Sequence, residues 1–225
     1  MNEEEKRSIK ENLETILGAV EGKNVTVVAA TKTVDPERIN YAIECGLRHI
    51  GENRVNELLE KYEYYDKRAT LHFIGQLQRN KVKYIIDKVK LIHSVDSIAL
   101  ATEIDKQARK HDLIMDILIE VNIGREESKG GVMPEDLTEI LDHCRTLDHV
   151  NVRGLMTIGP KIENVENKSY FFSKMSEIFI DISTKNVDNS NMDILSMGMS
   201  ADYLEAVECG STMIRPGSAV FGKRN

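Results

Sequence analysis

The sequence predicts an α/β protein: a single (β/α)8 barrel of the TIM type over residues 1–225, with an extra helix before the first strand. Eight short apolar segments alternate with helical segments from Val25 onward. The segments are apolar on both faces, which is typical of a parallel sheet covered by helices. No second composition regime appears, so we expect one domain. An open doubly wound sheet could hold the same order of elements and is the alternative.

The elements follow from apolar runs and the residues that end them. Helical periodicity predicts a first helix over residues 3–20, and Gly22 marks its end. Asp35 and Pro36 predict a helix start after the first strand, because they suit the cap and the first turn. The strands are predicted at residues 25–30, 49–51, 71–75, 91–95, 116–122, 152–157, 194–198 and 212–215. The helices after them are predicted at 35–45, 53–62, from 79, 97–110, from 134, from 163 and 204–209.

Composition excludes several classes of protein. Charged residues make up 30% and hydrophobic ones 41%, as in soluble globular proteins, and the formal net charge of −7 argues against nucleic-acid and anionic-membrane binding. The three cysteines, Cys45, Cys144 and Cys209, are odd in number and far apart, which favours a reducing cytoplasm. No CxxC or His-rich spacing predicts a metal site, and no apolar run has the length of a membrane span.

Polar residues follow the apolar runs at the place where such barrels carry their active sites, the carboxyl ends of the strands. We expect them to share one rim: Lys32, Glu52 with Asn53, Gln76, His93 with Ser94, Asn122, Thr157, Ser196 and Arg215. His72 lies within a strand, and we expect a buried, hydrogen-bonded core histidine there.

Lys32 is the most informative of these residues. It follows a buried strand between two threonines, Thr31 and Thr33. Partial desolvation at the mouth of an apolar barrel favours the neutral amine, the form that attacks an aldehyde. The other interpretation is a rim lysine whose ammonium reaches water, and the pattern alone gives the two about equal weight.

Two Gly/Ser turns, at residues 196–200 and 215–219, follow the seventh and eighth strands. This is where barrels of this fold commonly bind phosphate, and glycines allow the backbone to approach while serine hydroxyls donate. Arg215 could bind phosphate, donate to a ring nitrogen or form a structural ion pair.

The loop at 122–131 is either a lid or a solvated connection. The basic stretch at 78–83 is expected to be a solvated helix face.

These residues lie in longer strings that span nearly the whole chain: VAATKT at 28–33, GENRVNE at 51–57, HFIG at 72–75 with LQRNK at 77–81, EESKGG at 126–131, GLMT at 154–157, LSMGMS at 195–200 and GSTMIR at 210–215. In these strings the chain resembles the YggS/PROSC family of pyridoxal 5′-phosphate (PLP) homeostasis proteins. Pro216 departs from the family pattern, where an apolar β-branched residue is more common, and is expected to stiffen the phosphate turn.

The resemblance implies a barrel similar to the N-terminal domain of alanine racemase, the fold type III group of PLP proteins. Lys32 would carry PLP as a Schiff base, and Arg215 would face the pyridine nitrogen, which makes the cofactor a weaker electron sink. The implied cofactor-binding residues are Lys32, Asn53, Met156, Ser196, Gly198, Ser200, Arg215, Gly217 and Ser218.

The function that the resemblance implies is intracellular PLP homeostasis, as a carrier or regulator without evident catalysis, with PLP-dependent apoenzymes as candidate partners. Alanine racemases use a further β domain, and we expect none here because Asn225 comes soon after the eighth strand. A monomer is therefore expected. The alternatives are a weak PLP-dependent racemase, a Schiff-base aldolase with Glu52 as its acid or base, and a scaffold that binds partners through the basic stretch at 78–83.

Overall fold

A computed structural model gives the structure of residues 1–159, 165–185 and 192–222. Eight parallel strands pair in chain order, and the first also pairs with the last, so the sheet closes into a barrel. The predicted (β/α)8 barrel is confirmed, and the alternative prediction of an open doubly wound sheet is wrong. The strands are β1 (Thr26–Ala30), β2 (His49–Glu52), β3 (Thr70–Phe73), β4 (Leu91–Val95), β5 (Met115–Glu120), β6 (Val150–Met156), β7 (Ile194–Ser196) and β8 (Met213–Ile214).

The helices lie around the outside of the barrel: the first precedes β1, the last follows β8, and the others lie between successive strands. They are α1 (Glu3–Ala19), α2 (Pro36–Glu44), α3 (Val55–Lys61), α4 (Val82–Ile85), α5 (Ile98–Lys110), α6 (Leu137–Cys144), α7 (Val165–Lys185), α8 (Tyr203–Glu208) and α9 (Ser218–Phe221). The basic helix predicted from residue 79 is a 3-10 turn, Arg79–Lys81, followed by the single turn of α4. The predicted start of the seventh helix, at residue 163, lies outside the described residues. Among those residues, none of the helices is both long and apolar enough for a membrane span.

Side chains that accept backbone N–H groups define where several helices begin. Asn2 and Glu5 bond each other's backbone N–H at the start of α1 and form a capping box. The Asp35 side chain accepts from the Arg38 N–H at 3.0 Å, and Pro36 is the first residue of α2, as predicted. These caps fix the direction in which each helix leaves its loop.

Alternation along the strands divides the buried residues into two layers. One face of each strand packs against the helices in a large apolar core that includes Ile50, Phe73 and Leu155. The other face points into the barrel, where the apolar side chains form a smaller cluster: Val28, Ala30, Ile74, Leu91, Leu118, Met156 and Met213. Because the inner cluster is small, the interior has room for polar side chains.

Gly154 allows two strands to approach closely inside the barrel. It lies where the β5–β6 register shifts, and its φ is +152°. A Cβ atom there would lie 1.8 Å from the Ile194 carbonyl oxygen of β7. Only glycine fits without moving the backbone of β7.

We predict that Gly154→Ala lowers the free energy of unfolding by about 2 kcal/mol or more. Either the backbone of β7 must move away from the new Cβ atom, or residue 154 must adopt a strained backbone conformation. Gly18→Ala is the matched control. Nothing lies within 4 Å of a Cβ at this helical position, so the change should stabilise α1 by about 0.5–1 kcal/mol. Urea unfolding of both variants checks the pair, and equal effects would contradict the steric argument.

Candidate functional site

Lys32 lies at the carboxyl end of β1, next to the turn that follows β8. The Ala30 N–H donates to the Pro216 carbonyl at 2.8 Å, so β1 and the β8 turn are joined two residues before Lys32. On the other side, the Thr31 N–H donates to the Gly51 carbonyl at 2.9 Å. Lys32 is half-buried, and alternation continued from Val28 and Ala30 predicts that it faces the barrel interior.

Arg215 crosses the barrel interior from the end of β8. Its Nη1 donates to Ser196 Oγ at 2.5 Å and its Nη2 to the Thr157 carbonyl at 2.9 Å. Its side chain is 3% exposed, and burial lowers the pKa of the guanidinium to about 10, although Glu120 opposes this shift. Arg215 therefore stays charged at neutral pH, and its charge is placed beside the end of β7.

The two Gly/Ser turns are joined by one hydroxyl. Ser200 Oγ accepts from the Gly217 N–H at 2.9 Å and from the Ala219 N–H at 3.0 Å. Gly198 holds the first turn with φ +95°, and a Cβ there would lie 2.6 Å from the Ala206 Cβ. Ser218, the first residue of α9, has an exposed side chain. The predicted residues of both turns thus share one corner of the rim.

Met156 lies on the inner face of β6, and Asn53 directly follows the end of β2. Asn53 Oδ1 is buried and has no hydrogen-bond partner among the described residues. A Cβ on Gly75 would lie 2.2 Å from the Asn53 carbonyl, so that glycine allows β2 and β3 to meet here. Met156 is fully buried in the inner apolar cluster. A buried amide oxygen without a partner favours a ligand that donates to it.

Three histidines form a hydrogen-bonded chain through the barrel. His49 Nδ1 lies 3.0 Å from His72 Nε2, and His72 Nδ1 lies 3.0 Å from His93 Nε2. His93 Nδ1 then lies 3.2 Å from Ser196 Oγ, which also accepts from Arg215. The prediction of a buried, bonded His72 is confirmed.

The histidine chain is neutral at physiological pH. Burial lowers the pKa of His49, lowers that of His72 to about 3, and lowers that of His93 well below its usual value. A neutral ring has one donor and one acceptor nitrogen, so all three rings must point their N–H groups in the same direction along the chain. The Ser196 hydroxyl is therefore hydrogen-bonded to His93 on one side and to Arg215 on the other.

Glu120 is a carboxyl of the barrel interior that the sequence analysis missed. It ends β5 on the same face as Leu118, a residue of the inner cluster. Burial raises the pKa of the Glu120 carboxyl to about 7; Asp96 adds to the rise, and Arg215 opposes it. The sequence signal for this residue is the alternation from Leu118 to Glu120 within a largely apolar strand.

Glu52 does not enter the pocket, which corrects its nomination as an acid or base. Its neighbour Gly51 faces the inner residues Val28 and Ile74, so Glu52 points to the outer face. There Glu52 Oε1 accepts from Thr31, Lys61 and Tyr65. The carboxylate lies on the helix side of the strands because of strand alternation.

The other rim residues mainly hold loops. Thr157 Oγ1 donates to the Val121 carbonyl at 2.8 Å, and Ser94 Oγ donates to the Gly75 carbonyl. Asn122 Nδ2 donates to the Glu126 carbonyl at 2.9 Å and closes the first turn of the loop after β5. Gln76 is exposed.

Comparison with known proteins identifies the family. The family described as alanine racemase, N-terminal domain, matches residues 5–225. A pyridoxal phosphate homeostasis protein of Aquifex aeolicus is 48% identical over 199 residues, which cover 88% of this chain and 86% of that protein. The chain belongs to the pyridoxal phosphate homeostasis protein family. The predicted resemblance is thereby confirmed.

Solved structures agree with membership of the pyridoxal phosphate homeostasis family. PipY of Synechococcus elongatus PCC7942, solved without PLP, is 32% identical with a TM-score of 0.89 and covers 95% of this chain and 100% of its own. The same protein with PLP bound is 31% identical with a TM-score of 0.84, at the same coverage. An alanine racemase of Clostridium difficile 630 is 14% identical with a TM-score of 0.79, covering 100% of this chain and 58% of the racemase. The racemase shares the fold.

We predict that Glu120→Gln makes stability less dependent on pH. A carboxyl with a raised folded-state pKa binds its proton more tightly in the fold, so stability is lost as pH rises from 4.5 to about 7. Between about pH 5 and about pH 8, the free energy of unfolding of the variant should rise by roughly 2 kcal/mol relative to that of the wild type. Urea unfolding of PLP-free protein measures this difference, and a constant difference across that range would contradict it.

Proposed function

We propose that this chain binds PLP as a Schiff base on Lys32 and acts in intracellular PLP homeostasis, as a carrier or regulator without catalysis of its own. Its relatives are named pyridoxal phosphate homeostasis proteins, and PipY has been solved with PLP bound. PLP supplies an aldehyde, which condenses with an amine and releases one water molecule.

The observation that carries the proposal is the hydrogen bond from the Ala30 N–H to the Pro216 carbonyl. Lys32 comes two residues after one end of this bond, and Gly217 comes one residue after the other. An amine that reacts with an aldehyde and a turn that suits a phosphate are therefore neighbours across a single strand pair. This arrangement fits a small molecule that carries both groups.

The donors of the β7 and β8 turns fit a phosphate. Ser200 Oγ already accepts from two N–H groups, at Gly217 and Ala219, so the proton of its own hydroxyl is available to a third atom. Gly198 and Gly217 present no side chain that would keep a phosphate from the backbone. The buried oxygen of Asn53 has no partner among the described residues, so it can accept a hydrogen bond from a donor group elsewhere on the ligand.

Arg215 and Met156 fit the ring of the cofactor. A guanidinium has donors and no acceptor, so Arg215 can donate to an unprotonated pyridine nitrogen and disfavours its protonation. An unprotonated ring withdraws electrons weakly, which suits storage better than amino-acid chemistry. Met156 belongs to the apolar lining beneath the rim. The Schiff-base aldolase loses support because Glu52 lies on the outer face.

We further propose that the protein is a cytoplasmic monomer and that PLP-dependent apoenzymes receive its cofactor. The formal net charge of −7 argues against nucleic acid and anionic membranes as partners. Residues 1–225 are proposed to form one domain, since the described strands close a single barrel.

We predict that Lys32→Ala abolishes the visible absorption band of a PLP Schiff base. Lys32→Arg should also lack the band, although it keeps the positive charge that attracts phosphate. The control is Lys83→Ala, which removes an exposed lysine of α4 and should leave the band intact. The measurement is a spectrum of each protein titrated with PLP. A band of wild-type intensity in Lys32→Ala would contradict the assignment.

We predict that Ser200→Ala weakens binding of PLP about tenfold but changes binding of pyridoxal less than about twofold. Within the cofactor, the hydroxyl is proposed to contact the phosphate alone, and one hydrogen bond to a charged group has about this effect. Ser8→Ala, on the exposed face of α1, is the control. Titration with the two aldehydes separates the outcomes, since equal losses for both would show that Ser200 acts on the turn rather than on phosphate.

A further inference from the structure

The backbone beside Lys32 has an unfavourable conformation. Thr33, the next residue, has φ +62°, in the left-handed region that β-branched residues rarely adopt. The Thr33 side chain is exposed, so packing of that side chain does not hold the conformation. Surrounding contacts must therefore maintain it.

Two carboxylates hold the residues on either side of Lys32. Glu57 Oε2 accepts from the Thr33 N–H at 2.7 Å. Glu52 Oε1 accepts from Thr31 Oγ1 at 2.8 Å. One carboxylate comes from α3 and the other from the end of β2, so two separate elements hold this short segment.

Lys61 joins the two carboxylates. Its Nζ lies 3.0 Å from Glu52 Oε1 and 3.2 Å from Glu57 Oε2. The same ammonium donates to the Thr31 carbonyl at 3.1 Å, which belongs to the peptide bond that leads into Lys32. The Lys61 side chain is only 12% exposed and that of Glu52 is fully buried, so solvent screens this ion pair little.

The sequence explains why these groups meet. Glu57 and Lys61 are four residues apart on α3 and therefore share one face of the helix. Thr31 directly follows β1 and Glu52 ends the neighbouring β2, and both side chains are directed toward that face. The network contacts the backbone around Lys32 from the helix side and leaves the barrel interior to the ligand.

We propose that Lys61, together with Glu52 and Glu57, positions Lys32 by fixing the backbone from Thr31 to Thr33. The inference rests on the proposed function, in which the Lys32 amine captures PLP. In this proposal Lys61 acts through the backbone, by its hydrogen bond to the Thr31 carbonyl, and is a positioning residue. An ordinary stabilising ion pair would change global stability without a specific effect on this segment.

The test compares Lys61→Met, Lys61→Arg and a control, Lys106→Met, which breaks an exposed ion pair with Glu103 on α5. The first readout needs no cofactor: amide hydrogen exchange of the peptide that covers Thr31 to Thr33. Lys61→Met should speed this exchange about tenfold or more, while the core strands exchange as in the wild type. Lys61→Arg, which keeps the cation, should restore most of the protection, and Lys106→Met should match the wild type.

The second readout is the rate at which PLP is captured, followed by stopped-flow absorption. Lys61→Met should slow capture about tenfold, because a misplaced reacting group reduces rates steeply, and Lys61→Arg should recover most of the rate. Wild-type exchange and capture in a folded Lys61→Met would overturn the inference. If Lys61→Met does not fold, Glu57→Gln decides in its place by the same two readouts. If wild-type protein captures no PLP, the proposed function fails, while the exchange experiment still decides the role of Lys61.

Discussion

The buried guanidinium of Arg215 is the interaction on which the interior of this barrel depends. A charge that is withdrawn from water must be hydrogen-bonded, and Arg215 meets that need through Ser196 on β7 and the Thr157 carbonyl after β6. Its charge opposes the rise in the pKa of Glu120 and contributes to the low pKa of His93. The three strand ends that meet at Arg215 are thereby held in one arrangement, and the ordered histidine chain continues from it.

The interior and the rim of the barrel offer different hydrogen-bond donors to a ligand. A rigid, donor-only group inside the barrel suits a ring nitrogen that stays unprotonated, and the neutral histidines supply no acid near it. At the edge of the barrel, Ser200 and the glycine turns provide donors of the kind that bind phosphate. Lys32 stands beside these turns through the β1–β8 pairing. These features support the proposal of a PLP carrier or regulator.

Much of the fold could be predicted from the sequence, because apolar runs and caps are local signals. The eight strands lie within about two residues of their predicted positions, and Asp35 caps α2 as expected. The number of strands, eight, predicted that the sheet closes into a barrel. The one-turn α4 was less predictable, since the basic residues before it have no pattern that sets the length of a helix.

The site was harder to predict, because the face on which a strand-end residue lies depends on alternation from the residues before it. Gly51 faces the inner cluster and Glu52 points outward, so alternation directs Asn53 inward, although Glu52 and Asn53 are adjacent polar residues in the sequence. Glu120 was not predicted because a single carboxyl within an apolar run gives no signal of the face of the strand on which it lies. The contact of Lys61 with the backbone before Lys32 joins residues 30 positions apart, which no local pattern indicates.

The most direct test of the central claim is chemical. Wild-type protein mixed with PLP is reduced with borohydride, which fixes a Schiff base as a stable secondary amine, and is then digested for peptide mapping by mass spectrometry. The pyridoxyl phosphate group should lie on the peptide that contains Lys32, in about one copy per chain. Recovery of the group on another lysine, or on none, would contradict the assignment of Lys32 as the residue that holds the cofactor.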